Sequence, residues 1–439
     1  MTKEEKYTHA KWAMNYALGK GSQEVKVSIF DSTSSRVEVR EEKIEKLEQA
    51  NQNGLSIRLL VDNKFSSHST NRLANKKELE RFINEAIAGT KFLSEDEYRK
   101  LPDPELYYKG GGEELKTYDA GFREIDPQSK IDMVFAVEKE VVGKDERIIS
   151  VTASYFDGMS SQVMVTSNGF EGDSENTYYG LNASVSVKGG DARPQANWGE
   201  SSLFYENLKT ESVGKTALDR ALKKIGQGKI ESGKMTMIVE NRTAGQLLSP
   251  LISALYGSAI QQKNSFLIDK LGQKVASEKL TIIDDPFIVS GRGSTLFDSE
   301  GLATKKRMVF DKGVLREYYI DTYYGRKLNM EPNSGSTTNL VFESGDKDLE
   351  GLIASVERGI LVTGFNGGNS NGSTGDFSFG IDGFLIGKGR IVRPVSEMNI
   401  TGNMKQLWMD LAEVGTDVYE ASSRRTPSLL FNNVDFSGI

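Results

Sequence analysis

The chain has 439 residues, two histidines, no cysteine and a formal net charge of −7. That balance lacks the basic surplus a nucleic-acid partner requires, and no apolar run approaches the ~18 residues of a membrane span, so neither nucleic acid nor bilayer is an expected partner. With His9 and His68 as the only imidazoles, no HExxH helix, CxxC pair or Cys/His dyad can be written, and a Ser/His/Asp triad would have to borrow one of those two.

One core does not serve 439 residues, so two or three domains are expected. The lack of cysteine fits a reducing compartment. The N-terminal run MTKEEKYTHAKWAMNYALGK has no apolar signal segment; a cytoplasmic location is expected. The 44 glycines point to many tight turns and a strand-rich fold.

A short helix is expected over 3–19. Val25, Val27 and Ile29 alternate, as do Val37 and Val39, and then Leu55, Ile57, Leu59 and Val61, which reads as three strands. From Asn75 the period changes: Leu79, Phe82, Ile83, Ala86 and Ile87 mark an amphipathic helix. These elements make a first α+β domain over 20–92. Residues 94–114, with two prolines and three consecutive glycines, read as a linker. A helix at 128–142, strands near 147–156, 161–168 and 178–188, and a helix at 207–225 make a second α+β domain, 115–225. Residues 226–234 are a turn-rich boundary. A strand at 235–240 and a helical stretch at 242–275, with Leu247, Leu248, Leu251, Ile252, Leu255 and Ile260 as its buried face, open a C-terminal domain over 230–439. Beyond Lys279 the pattern is strand and turn, with hairpin turns expected at 310–314, 381–384 and 386–390. The fold class is therefore α+β: two N-terminal α+β units, then a domain dominated by a large antiparallel sheet with a helical segment near its start.

Several literal motif matches fail on context. Gly368-Asn369-Ser370-Asn371-Gly372 spells G-x-S-x-G, but no histidine follows it and its surroundings are strand-like. Residues 228–234 resemble a P-loop, yet Met235 stands where Ser or Thr must hold magnesium, and a strand follows rather than precedes. Two Ser-x-x-Lys spacings, Ser212/Lys215 and Ser344/Lys347, are expected by chance. Lys305, Lys306 and Arg307 form the one tight basic cluster and read as solvated strand-end charges. Carboxylates such as Asp284, Asp285, Asp298, Glu300, Asp376 and Asp382 could pair for acid/base work or hold a hard cation; turn-forming and solvated positions explain most of them. Trp198, set among polar residues, is a candidate groove or interface contact.

Longer runs carry a resemblance. Residues 364–371 (GFNGGNSN) and 374–380 (TGDFSFG), 389–395 (GRIVRPV) with 400–403 (ITGN), and 426–429 (TPSL) resemble the TldD/PmbA family. So do 166–172 (TSNGFEG), 283–286 (IDDP) and 298–301 (DSEG), all in family order. The resemblance implies a metal-dependent peptidase built from two related subunits. The TldD-type subunit carries an HExxxH helix and a later cysteine; the PmbA type, also called TldE, lacks those ligands. Names in the family also mention DNA gyrase modulation, to which the acidic composition lends no support through direct DNA contact. In this chain Ser249, Pro250 and Ala254 stand where the two histidines and the glutamate would be. None supplies an imidazole or a base, so the fold and the partnership carry over and the chemistry does not.

The expectation is thus a metal-free, non-catalytic subunit of a cytosolic heteromeric metallopeptidase. It would pair with an HExxxH-bearing TldD-type paralogue and help form a cleft for unfolded or small peptides. No catalytic residue, metal ligand or cofactor is assigned to the chain itself; the metal is expected in the partner. The Asn366–Phe379 loop, with Asn366, Asn369, Asn371, Thr374 and Asp376, and Trp198 are the candidate substrate or partner contacts. The alternatives are a homodimeric, non-enzymatic peptide scaffold and, from another class, a carboxylate-based hydrolase acting alone.

Overall fold

The computed structural model describes residues 1–73 and 75–439. The N-terminal half is one twisted six-stranded sheet. Helix α1 (Lys3–Gly19) leads into β1 (Glu24–Arg40), β2 (Lys43–Val61) and β3 (Lys64–Thr70), followed by α2 (Lys76–Thr90) and α3 (Pro127–Lys139). Then come β4 (Ile148–Thr166), β5 (Glu171–Val187), β6 (Gln195–Ser202) and α4 (Val213–Lys223). The strand order is β3-β2-β1-β4-β5-β6, antiparallel throughout. The sheet is therefore continuous through both N-terminal α+β units.

The long strands explain how two cores share one sheet. At 17 residues β1 runs roughly 55 Å. Its first third buries Val25, Val27 and Ile29 against Ala10, Ala13 and Ala17 of α1 and Leu79 and Ile83 of α2. Its last third carries Val37 and Val39 into a second core with Val134 and Val137 of α3 and Val213, Ala217 and Ala221 of α4. Between them lies the polar run Asp31–Arg36. There the buried carboxylate of Asp157 accepts from Ser35 Oγ at 2.6 Å and Tyr155 OH at 2.9 Å and pairs with Lys130 at 2.5 Å. This polar seam makes 25–29 and 37–39 look like separate strands, whereas they are one. In the same way 147–156 and 161–168 are the single strand β4. Strands β3 and β6, edge strands of mostly polar sequence, have no counterpart in the sequence reading.

The C-terminal half adds β7 (Gly233–Val239), α5 (Asn241–Ser253), α6 (Gly257–Gln261), β8 (Ile282–Asp284), β9 (Arg307–Asp311), β10 (Val314–Leu315) and α7 (Thr322–Leu328). It continues with β11 (Leu340–Phe342), α8 (Leu349–Ala354), β12 (Arg358–Ser370), β13 (Asp376–Gly387), β14 (Arg390–Asn403), α9 (Met404–Met409), β15 (Leu411–Val414), β16 (Arg424–Arg425) and β17 (Leu429–Ser437). One sheet has the order β14-β13-β12-β7-β17-β15, and a further β14–β17 pairing curls it toward a barrel. A smaller sheet is ordered β10-β9-β8-β11-β16. The main core joins Leu247, Leu248, Leu251 and Ile252 of α5 to Met237 and Val239 of β7 and Ile360 and Val362 of β12. The fold is thus α+β with large antiparallel sheets.

Three local expectations are corrected. The helical stretch at 242–275 ends at Ser253, resumes only for α6, and is irregular from Lys263 onward, where that residue takes φ +57°. The expected turn at 381–384 is a bulge inside β13, with the register shifting between Ile381 and Gly383; the turns at 310–314 and 386–390 do close hairpins. The helix expected from 207 begins at Val213. The segment read as a linker, 94–114, is stitched onto the C-terminal half. Arg326 donates to the carbonyls of Tyr98, Lys100 and Leu101 at 2.6–3.1 Å, and Tyr108 N–H donates to Gly301 O at 3.0 Å.

Candidate functional site

Helix α5 buries Ala244, Leu247, Leu248, Leu251 and Ile252, which turns the stripe 246, 249, 250 and 253 the other way by the helical repeat. That stripe forms one wall of a cleft of about 570 Å³. The opposite wall is the β12–β13 hairpin. Its strands run on to Ser370 and restart at Asp376, so most of the expected 366–379 loop is strand and only 371–375 is turn. Asn371 builds that turn: its Oδ1 accepts from Ser373 N at 2.9 Å and Thr374 N at 3.2 Å. Gly368, at φ +109°, leaves no room for a side chain, since a Cβ would lie 2.1 Å from Ser378 O.

The fold brings Ser249, Pro250 and Ala254 into this cleft together with Asn369 and Asn371. Asn366, Thr374 and Asp376 lie outside it. The Asn366 amide donates to Asp382 at 3.1 Å. Thr374 Oγ1 and the Asn403 amide both donate to the Asp376 carboxylate, at 2.7 and 2.8 Å, and hold its pKa below the ordinary range, Asn403 first. Asn366 is thus engaged between the two strands, and Thr374 and Asp376 in shaping the turn.

Among the cleft's lining residues Arg424 alone carries a formal charge, and sequence reasoning passed over it. It sits on the two-residue strand β16, two positions before the TPSL run. Its Nη1 donates to Gly245 O at 3.0 Å and Ser249 Oγ at 3.1 Å. A divalent metal does not fit such a lining. No imidazole, thiolate or carboxylate faces it, and a fixed guanidinium stands beside the first motif position. No group of three or more His, Cys, Asp or Glu side chains is arranged to hold a metal among the described residues.

A second cleft, of about 610 Å³, adjoins the first; Gln246 and Phe365 line both. Trp198 of β6 lies in it, half-buried, with its indole Nε1 donating to Glu200 at 3.0 Å. The Arg242 guanidinium of α5 stacks on that ring 3.7 Å from its centroid and pairs with Glu200 at 2.7 Å. Arg220 approaches the ring's centroid to 5.2 Å and is gripped by both oxygens of Glu240, at 2.7 and 2.6 Å. Burial alone would lower the Arg220 pKa, but the Glu240 contact outweighs it and raises it. Trp198 is thus part of the join between the N-terminal sheet and α5.

The geometry defines an α+β protein with a cleft beside α5 whose lining offers no metal-ligating side chain, and the chain matches one family along its length. Domain 1 of the PmbA/TldA metallopeptidases matches residues 25–89, their central domain 121–225 and their C-terminal domain 232–438; the chain belongs to the PmbA/TldD family. A crystal structure from Bacteroides thetaiotaomicron, of a candidate modulator of DNA gyrase, is 52% identical, with each chain covered in full and a TM-score of 0.98. Metalloprotease PmbA of Escherichia coli is 26% identical, over 97% of this chain and 94% of its own length. A metalloprotease TldD homologue of Buchnera aphidicola is 25% identical over 69% of each chain. The relatives thus include both the PmbA and the TldD types. No helix among the described residues is long and apolar enough to cross a membrane.

Proposed function

We propose that this chain is the metal-free, non-catalytic subunit of a cytoplasmic heteromeric metallopeptidase. It pairs with a TldD-type paralogue that carries HExxxH and the metal, and its own cleft helps hold an unfolded or small peptide. The observation that carries this reading is the lining around α5. Ser249, Pro250 and Ala254 face a peptide-sized space that contains hydrogen-bonding amides and one cation but no group able to activate water. The family relation to proteins named metalloproteases of both types supports the pairing. In this reading DNA is not a direct ligand and no cofactor resides in the chain.

The test is cleavage of an unstructured peptide by the purified chain, alone and with the HExxxH-bearing paralogue added. Turnover only in the mixture, abolished by a chelator, is the expected result. Turnover by the chain alone, persisting after a second purification step that removes contaminating protease, would overturn it.

A further inference from the structure

We infer that the cleft beside α5 is a carboxylate-binding site, with Arg424 as the anchor for the carboxylate of a bound peptide. The inference rests on the peptide-holding reading above and specifies what that cleft selects.

The charge pattern comes first. The chain as a whole is acidic, at −7, yet the cleft contains one cation and no carboxylate. Most arginines around the neighbouring cleft are matched: Arg220 has Glu240 and Arg242 has Glu200. Arg424 has no carboxylate within 4 Å among the described residues, and only its Nη1 is engaged by the protein, through Gly245 O and Ser249 Oγ. Those two acceptors fix the plane of the guanidinium. Its Nη2 and Nε donors keep no protein acceptor among the described residues and remain for a ligand. A held, planar, two-donor edge is the arrangement that pairs with a carboxylate bidentately, and it needs little reordering on binding.

The rest of the lining suits a peptide that ends or turns there. Asn264, Asn369 and Asn371 offer amide groups for a peptide backbone, while Phe266, Phe365 and Phe379 give apolar surface for a side chain. One guanidinium neutralises one carboxylate, whereas a phosphate dianion would retain uncompensated charge. The carboxylate can come from a peptide's C-terminus or from an Asp or Glu side chain, and the two are separable.

Isothermal titration of the full chain with three N-acetylated tetrapeptides tests this: Ala-Phe-Ala-Phe as the free acid, the same peptide as its C-terminal amide, and Ala-Glu-Ala-Phe as the amide. Both carboxylate-bearing peptides are expected to bind about tenfold or more tighter than the neutral amide, the scale of one charge-assisted hydrogen-bonded pair. The better of the two identifies the source of the carboxylate. In Arg424→Met the preference is expected to vanish while the neutral peptide still binds, and Arg424→Lys is expected to retain part of it. Should Arg424→Met fail to fold, the wild type still decides, because the preference must shrink as salt is raised from 50 to 500 mM. Equal binding of acid and amide by the wild type overturns the inference and leaves the peptide-holding reading standing. A preference undiminished in Arg424→Met overturns it too. No binding of any of the three, with or without the paralogue, overturns both.

Discussion

Arg424 Nη1 donates to Ser249 Oγ at 3.1 Å, so a side chain from the stretch just before β17 is pinned to the cleft-facing side of α5. The hydroxyl accepts a charge-assisted bond, and the carbonyl of Gly245 holds the same nitrogen at 3.0 Å. Ser249→Ala removes one of the two acceptors and leaves the cation partly solvated. A loss of about 1 kcal/mol in urea-induced unfolding is expected. A change within error would mean that the contact adds nothing to the fold.

The hairpin wall depends on one backbone position. Gly368 takes φ +109°, a conformation L side chains rarely adopt, and a Cβ there would meet Ser378 O at 2.1 Å. The opposing atom is backbone in β13, so it cannot rotate away. Gly368→Ala is expected to cost at least about 2 kcal/mol. Hydrogen exchange should then accelerate within 366–379 more than in the N-terminal sheet. Uniform exchange at the wild-type rate would contradict this account of the hairpin.

Lys26 gives a pH dependence whose sign can be worked out. It lies buried where β1 meets the C-terminal half and donates to the carbonyl of Ser299. Burial, and then the positive charge of Arg58, lower its pKa to about 8, against the opposing pull of Glu300 and Asp298. The unfolded chain keeps the ordinary value near 10.5, so between those pH values the unfolded state binds more protons and stability rises with pH. The penalty is fully present below pH 8 and gone above about 10.5. Lys26→Met is expected to raise the melting temperature at pH 7 and to narrow its gap from wild type as pH approaches 10. A gap that is constant between pH 7 and 10 would show that Lys26 is not buried as a cation.

The alternation of Val25–Ile29, the helical stripe at 79–87 and the helix face at 247–252 were all legible, because each is a run of apolar residues at one period against a single core. Continuity was not. Strand β1 crosses from one core to another through Asp31–Arg36, and its pairing with Lys130 and Asp157 is made by residues roughly 95–125 positions away. The helix break after Ser253 was missed because Leu255 and Ile260 keep the apolar spacing although the backbone between them has changed course. For the cleft, the three motif positions and the hairpin were legible only through family resemblance. Arg424 was not, since an arginine pair in a polar run shows no periodicity that singles out either member, and only the pairing of β16 with β11 sets Arg424 beside α5.

The join at Trp198 yields the last expectation. Arg242 ties α5 to β6 in three ways: its Nη1 donates to Gly199 O at 2.6 Å, its Nη2 pairs with Glu200 at 2.7 Å, and its plane covers the indole at 3.7 Å. Tyr419 backs the same guanidinium at 4.6 Å. Arg242→Ala removes the stack and leaves Glu200 with only the indole N–H as partner, at a cost of about 2 kcal/mol. Trp198 should then become more solvated. With Trp408 fully buried and Trp12 packed on α1 against a different core, a red shift in tryptophan emission reports on this site. The 226–232 segment connecting the two halves should be cut faster by a protease that recognises Lys229. Arg242→Lys keeps the charge but not the planar stack, and it should fall between wild type and Arg242→Ala in both readouts. If emission and cleavage are unchanged in Arg242→Ala, the two halves are held by other contacts and Trp198 is left as a groove residue alone.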